Sequence, residues 1–305
     1  MECLCPITIP NPKPSVYSPK PYLTVPCGKC EACIDRKRSA WFARFKQECR
    51  NSFSAFFVTL TYNEENVNGH YDFCGLHLDV CKEDVQKFHR RLRKAIKKRN
   101  EPIKERDGLT WKEFREKYPR LCSFRYYLCA EYGPNPTDGV FHRPHYHAVY
   151  WNYPREYIGL IEKEWNLGFV KISEVNDNRL RYLAGYEIQK LFVPEGSERI
   201  FNLVSKGIGL SYLTDSIREF HQQDPVNRRF VSIDGAKLPM SRYYVDKVFS
   251  QYDKFRYANQ KSEESREREE KRIAEIGIDE YERQSHEIRA GFVRRMYKTF
   301  KKRKL

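Results

Sequence analysis

The chain has 305 residues and a mass of 36.6 kDa, enough for a substantial core in one large domain or two smaller ones. Its 56 Lys and Arg against 41 Asp and Glu give a formal charge of +15, a surplus that suits a polyanion, either nucleic acid or an acidic membrane surface. The longest mainly apolar stretch, Phe53 to Tyr62, is far short of the ~20 residues a bilayer needs, and 40% hydrophobic with 14% aromatic residues argues against disorder throughout.

In chain order, residues 1–34 read as a Pro- and Cys-rich arm. Pro6, Pro10, Pro12, Pro14, Pro19, Pro21 and Pro26 disfavour a helix or a central strand. No basic start followed by an apolar block marks a secretion signal, so the ten cysteines point to thiols or metal ligands rather than a disulfide framework. Cys27, Cys30 and Cys33 at two-residue gaps can wrap a tetrahedral Zn²⁺, with Cys3 or Cys5 as fourth ligand, or can stay as thiols. Cys49, Cys74, Cys81, Cys122 and Cys129 read as small buried hydrophobes.

A helix is predicted over Asp35–Arg50, then a buried strand over Ser54–Tyr62. Asp79 could cap a helix reaching about Lys98, with Val85, Phe88, Leu92 and Ile96 on one stripe. Arg90, Arg91, Arg93 and Lys94 fall on its basic remainder, which is either solvated or set against nucleic-acid phosphates. Residues 100–122 read as a polar connection with a short helix. Strands are predicted over Phe124–Tyr132, His145–Trp151 and Gly168–Val175, the first two as an antiparallel pair across a Gly/Pro/Asn/Asp loop. A helix follows from Asp177 or Asn178 to about Leu191, and a hairpin turns at Asp234-Gly235. From Asp253 the chain becomes rich in Glu, Arg and Lys, predicting a charged helix or loose tail with a basic end.

Three places carry chemistry. In Arg143-Pro-His-Tyr-His-Ala, alternation puts His145 and His147 on one strand face, ~7 Å apart along the chain. Two such imidazoles can hold one divalent cation, or simply pack or meet solvent. The predicted hairpin returns Glu131 to a place beside His145, completing two imidazoles and a carboxylate with positions left open. His142 is a nearby further imidazole. Tyr182, Tyr186 and Lys190 are spaced by four and project from one helix face; aromatics so spaced usually line a core, but a tyrosine beside a metal can become a nucleophile.

A His-hydrophobic-His strand followed by a helix with paired tyrosines resembles the HUH endonucleases. The fuller set is similar to the replication-initiation proteins of the Microviridae, in particular the gokushovirus branch. It comprises Val25-Pro-Cys-Gly-Lys-Cys-Glu-Ala-Cys33, Phe57-Val-Thr-Leu-Thr-Tyr62, Ala130-Glu-Tyr-Gly133, Arg143-Pro-His-Tyr-His147 and Tyr182-Leu-Ala-Gly-Tyr186. A looser likeness extends to Ser241-Arg-Tyr-Tyr244.

The resemblance implies an α+β, ferredoxin-like HUH domain over residues 35–252, a central antiparallel sheet flanked by helices, with a charged helical extension over 253–305. It implies Mg²⁺ or Mn²⁺ at Glu131, His145 and His147, and attack by Tyr182 or Tyr186 on single-stranded origin DNA. It further implies a 5′-phosphotyrosyl product, a free 3′ hydroxyl for a host polymerase, a host helicase as partner, and action in the bacterial cytoplasm. Arg143, with Arg90, Arg91, Arg93 and Lys94, is the expected DNA contact. The likeness leads one to expect a lysine three residues after Tyr186, where Gln189 stands; Lys190 is one position, ~100° of helix, further on. A plasmid initiator, a mobilisation relaxase or a non-enzymatic DNA-binding protein are the competing readings.

Overall fold

The computed structural model describes residues 3, 6–12, 14, 16, 19, 21–133, 143–186 and 193–302, without the side chains of 289 and 292–302. The chain divides into two compact units, one of residues 1–43 with 212–305 and one of residues 44–211.

In the first unit the prolines allow only edge pairing: β1 (Ile7–Pro10) and β2 (Tyr22–Val25) form an isolated antiparallel hairpin. Helix α1 (Glu31–Arg50) starts directly after the Cys-rich turn and runs from this unit into the second. In the C-terminal part, Asp234 and Gly235, with φ of 50° and 82°, close the expected hairpin between Phe230–Ile233 and Ala236–Pro239. Ser241 caps the helix Arg242–Val248 by accepting from the Tyr244 amide. The charged C-terminal stretch is helical, Gln251–Ile276 and Ile278–Lys302, with Gly277 between them in the left-handed region at φ 82°. Ion pairs at helical spacing, such as Arg283 with Glu280 and Glu287, account for helicity without a core.

The second unit holds the expected central sheet. Its strands are β3 (Ala55–Tyr62), β6 (Arg125–Tyr132), β7 (Pro144–Trp151), β8 (Gly168–Glu174) and β9 (Asn202–Val204), in the order β8-β3-β7-β6-β9, all antiparallel. A separate hairpin, β4 (Asn68–Asp72) with β5 (Gly75–Asp79), precedes helix α2 (Lys82–Arg106). Short helices α3 (Trp111–Lys117) and α4 (Pro119–Cys122) lead to β6; α5 (Gly159–Glu164) leads to β8, and α6 (Asp177–Ala184) follows it.

Alternation sorts the sheet into two faces. On one, Val58, Leu60, Leu128, Ala130, Tyr146 and Tyr150 pack against Val85, Phe88, Leu92 and Ile96 of α2 and Leu160 and Ile161 of α5. Each fully buried aliphatic side chain there contributes about 1.5–3 kcal/mol. On the other, Phe45 of α1 meets Tyr127 and Trp151 at ring distances of 4.8 and 5.7 Å, and Lys46 pairs with Asp177 of α6 at 2.9 Å.

Two boundaries depart from expectation. Asp79 does not cap α2: it ends β5 and accepts from the Glu198 amide, while the Cys81 amide at the helix start donates to Tyr146 Oη. The hairpin uses the residues that a cap would have needed. Helix α6 ends at Ala184 rather than near Leu191, the Gly185 amide bonding back to Arg181 and Tyr182 in a turn.

Candidate metal centre and active site

The antiparallel ladder places Glu131 directly opposite His145, and Cys129 opposite His147. On the other side of β7, Thr61 faces His145 and Thr59 faces His147. Glu131, His145 and His147 therefore share the sheet face away from α2, and one ligand atom from each lies within 4.8 Å of the others. Glu131 Oε2 is central, 3.6 Å from His147 Nε2 and 3.9 Å from His145 Nε2.

The outer ring nitrogens are occupied. His145 Nδ1 is 3.2 Å from the Arg143 carbonyl, to which it can only donate, so its Nε2 carries the lone pair. His147 Nδ1 is 3.0 Å from Thr59 Oγ1, a hydroxyl able to accept in the same sense. Both Nε2 atoms thus aim at the shared carboxylate oxygen, the orientation that imidazole ligands need. Burial, followed by the neighbouring His145, lowers the His147 pKa to about 3, so it is neutral at any working pH. Two neutral imidazoles and one carboxylate form a donor set that fits Mg²⁺, Mn²⁺ or another divalent cation with positions to spare.

Helix α6 brings the fourth group. Asn176 caps it by accepting from the Arg179 amide, and Leu180, Leu183 and Ala184 bury its inner stripe. The remaining turn presents Tyr182, whose hydroxyl donates to Glu131 Oε2 and whose ring stands perpendicular to His147 at 5.2 Å. Tyr186 does not share this position: it is 0% exposed, packed in the core beyond the end of α6. Lys190, His142 and Cys5 lie outside the described residues.

The expected nucleic-acid contacts separate. Arg90, Arg91, Arg93 and Lys94 are on α2, which covers the opposite face of the sheet from the three candidate ligands. Arg91 donates to the Glu164 carbonyl and Asn166, and Arg93 lies over Phe124 and Tyr126. Arg143 is beside the centre, lining an open groove of about 550 Å³ with Thr61, Glu64 and Phe169, and bonding Glu64 Oε1 and the Tyr62 carbonyl.

Two residues not anticipated from the sequence complete the face. Phe169 of β8 pairs with Thr61, so Phe169, Thr61, His145 and Glu131 form one row across four strands. Lys171 pairs with Thr59 in the next row. Phe169 is 70% exposed although it sits on a central sheet. An apolar residue spent on solvent beside a polar cluster was the readable signal, but only once β8 was known to pair with β3.

The four cysteines Cys3, Cys27, Cys30 and Cys33 also converge, with one sulfur from each within 4.8 Å of the others. No described helix is long and apolar enough to cross a membrane.

Residues 55–191, which carry four of the five sequence motifs on the elements from β3 to α6, match the replication-associated protein ORF2 family. The chain is 27% identical over 249 residues to the replication-associated protein ORF2 of Spiroplasma virus 4, covering 74% of this chain and 66% of that one. It is 22% identical over 231 residues to the replication-associated protein ORF4 of Chlamydia phage 1, covering 73% and 53%. The matched stretch thus spans about two thirds of one relative and about half of the other. No solved structure matches the chain.

Proposed function

We propose that this relative of the microvirus replication-associated proteins is an HUH-type nickase and strand transferase that starts rolling-circle replication on single-stranded origin DNA. The observation that carries the reading is the Tyr182 hydroxyl bonded to the carboxylate oxygen on which both imidazole Nε2 atoms converge. A buried histidine pair and a core tyrosine need no such convergence; a nucleophile beside a cation site does.

When bound at Glu131, His145 and His147, a Mg²⁺ or Mn²⁺ ion supplies Lewis acidity that polarises the scissile phosphate. Tyr182 Oη attacks phosphorus, the P–O3′ bond breaks, and the 5′ phosphate stays on the tyrosine. Glu131 is positioned to receive the phenolic proton, and the departing 3′ oxygen is protonated by water. The free 3′ hydroxyl then serves a host polymerase, with a host helicase opening the duplex, in the bacterial cytoplasm. Tyr186 is assigned the later, strand-joining attack, because its buried ring has to leave the core first. Phe169 offers a stacking platform and Lys171 and Arg143 offer charge along the same face.

The test is adduct formation on a single-stranded origin oligonucleotide with Mn²⁺, followed by denaturing electrophoresis. Wild type and Tyr186→Phe are expected to form the covalent adduct in the first round, and Tyr182→Phe to form none. An adduct of wild-type yield with Tyr182→Phe would refute the assignment.

A further inference from the structure

We propose that Cys3, Cys27, Cys30 and Cys33 hold a structural Zn²⁺ ion that fastens the N-terminal arm to the start of α1. The argument begins with sulfur geometry. Cys3 Sγ lies 3.6 Å from Cys27 Sγ and 3.7 Å from Cys30 Sγ, and all four sulfurs fall within 4.8 Å of one another. A tetrahedron with Zn–S bonds of ~2.3 Å has edges of about 3.8 Å. A disulfide would bring two sulfurs to ~2.05 Å and leave the other two without a role; none of the four is in one. Thiolates bridging an iron–sulfur cubane stand further apart than this group allows.

The surroundings favour thiolates. The Cys27 amide points at Cys3 Sγ at 3.3 Å, and the Lys29 and Cys30 amides point at Cys27 Sγ at 3.4 and 3.3 Å. Gly28 makes this turn possible with φ of +74°, in the left-handed region. Cys33 sits in the first turn of α1, where the helix dipole favours negative charge. Amide donors around sulfur are the outer shell of a metal–thiolate site.

The arm also lacks any other anchor of this strength. The local cluster of buried residues is Cys30, Ala32 and Cys33, with Cys3 and Cys27 packed against it. A two-stranded hairpin of four-residue strands is marginal by itself in water, and small segments without a core are commonly held by metal. The two centres divide the available cations by softness: four sulfurs select zinc, and the oxygen-containing Glu131 set suits Mg²⁺ or Mn²⁺.

The experiment uses the full chain, expressed without a polyhistidine tag and dialysed against metal-free buffer. Plasma mass spectrometry is expected to find one zinc per chain, released in full as a mercurial reagent titrates the thiols in the presence of a chromogenic zinc indicator. His145→Ala/His147→Ala is expected to keep that zinc, and Cys30→Ser/Cys33→Ser to lose it. Removing zinc from the wild-type chain is expected to open residues 1–30 to limited proteolysis. Wild-type protein with less than about a tenth of an equivalent of zinc, mononuclear iron in its place, or zinc lost with the histidine pair but kept by the cysteine pair would each overturn the proposal. The wild-type measurements do not depend on how any variant folds.

Discussion

Replacing Thr59 by valine keeps the shape of the side chain and removes the hydroxyl that lies 3.0 Å from His147 Nδ1. The imidazole is then left with a buried N–H and no acceptor, a cost of about 1–3 kcal/mol. The ring can escape that cost by turning, or by moving its proton to Nε2; either way the lone pair no longer faces Glu131. Outer-shell losses of this kind weaken metal affinity by about 10–100-fold, or roughly 1.4–2.7 kcal/mol at a tenfold change per 1.4 kcal/mol. The assay is calorimetric titration with Mn²⁺, paired with nicking rate against Mn²⁺ concentration. Half-saturation is expected to rise by that factor, while the rate at saturating Mn²⁺ stays within a few-fold of wild type, since Tyr182 and Glu131 are untouched. Thr59→Ser is expected to restore the wild-type titration. If Thr59→Val binds Mn²⁺ like the wild type, the hydroxyl does not orient His147 and the tautomer argument for the centre fails.

Two further outcomes follow from the same sheet. Phe169→Ala is expected to weaken single-stranded DNA binding by about 1–3 kcal/mol in fluorescence anisotropy, with the thermal midpoint unchanged because the ring is 70% exposed; undiminished affinity would remove Phe169 from the DNA path. His89, buried between α2 and the sheet with Nε2 2.8 Å from Tyr150 Oη, has its pKa lowered to about 3 by burial, with Arg93 adding to the effect. It is neutral in both folded and unfolded chains well above pH 6.5, so its contribution is complete there. As pH falls from about 6.5 towards 3 the unfolded chain takes up a proton that the fold excludes, and stability drops by about 1 kcal/mol per pH unit from this group. Urea midpoints at pH 7.5 and 5.5 are expected to differ less in His89→Gln than in wild type; parallel shifts would show that another group carries the acid sensitivity.

Much of the site was legible because strands obey strict alternation. His145 and His147 sit on one face by parity alone, and a short hairpin connection is enough to bring Glu131 back beside His145. The sheet order was not legible, because β3 pairs with both β7 and β8 across separations that no local signal encodes. That gap hid Phe169 and Lys171. It also allowed Arg90, Arg91, Arg93 and Lys94 to be read as active-site contacts, since an amphipathic pattern says which stripe of a helix is buried but not which face of a sheet it covers. The helix start was misread at Asp79 because β4 and β5 are short and mostly polar, too weak a pattern to compete with a good capping residue. The two tyrosines look equivalent at a spacing of four, and only the turn at Gly185 separates one beside a carboxylate from one in the core.

The pairing of β6 with β7 has a consequence for which length changes such a chain can tolerate. The ladder is continuous from Arg125 with Trp151 to Tyr132 with Pro144, and the Gly133 amide still bonds the Arg143 carbonyl at 2.9 Å. Residues added between 134 and 142 leave that count unchanged, so both imidazoles keep their side of the sheet. A single residue inserted between Arg143 and His145 while the pairing beyond it is preserved does the opposite: it inverts the parity and points the imidazoles at the apolar layer beneath α2. Insertions and deletions among related sequences should therefore gather in the connection and avoid the two strands, a pattern that alignment length alone would expose.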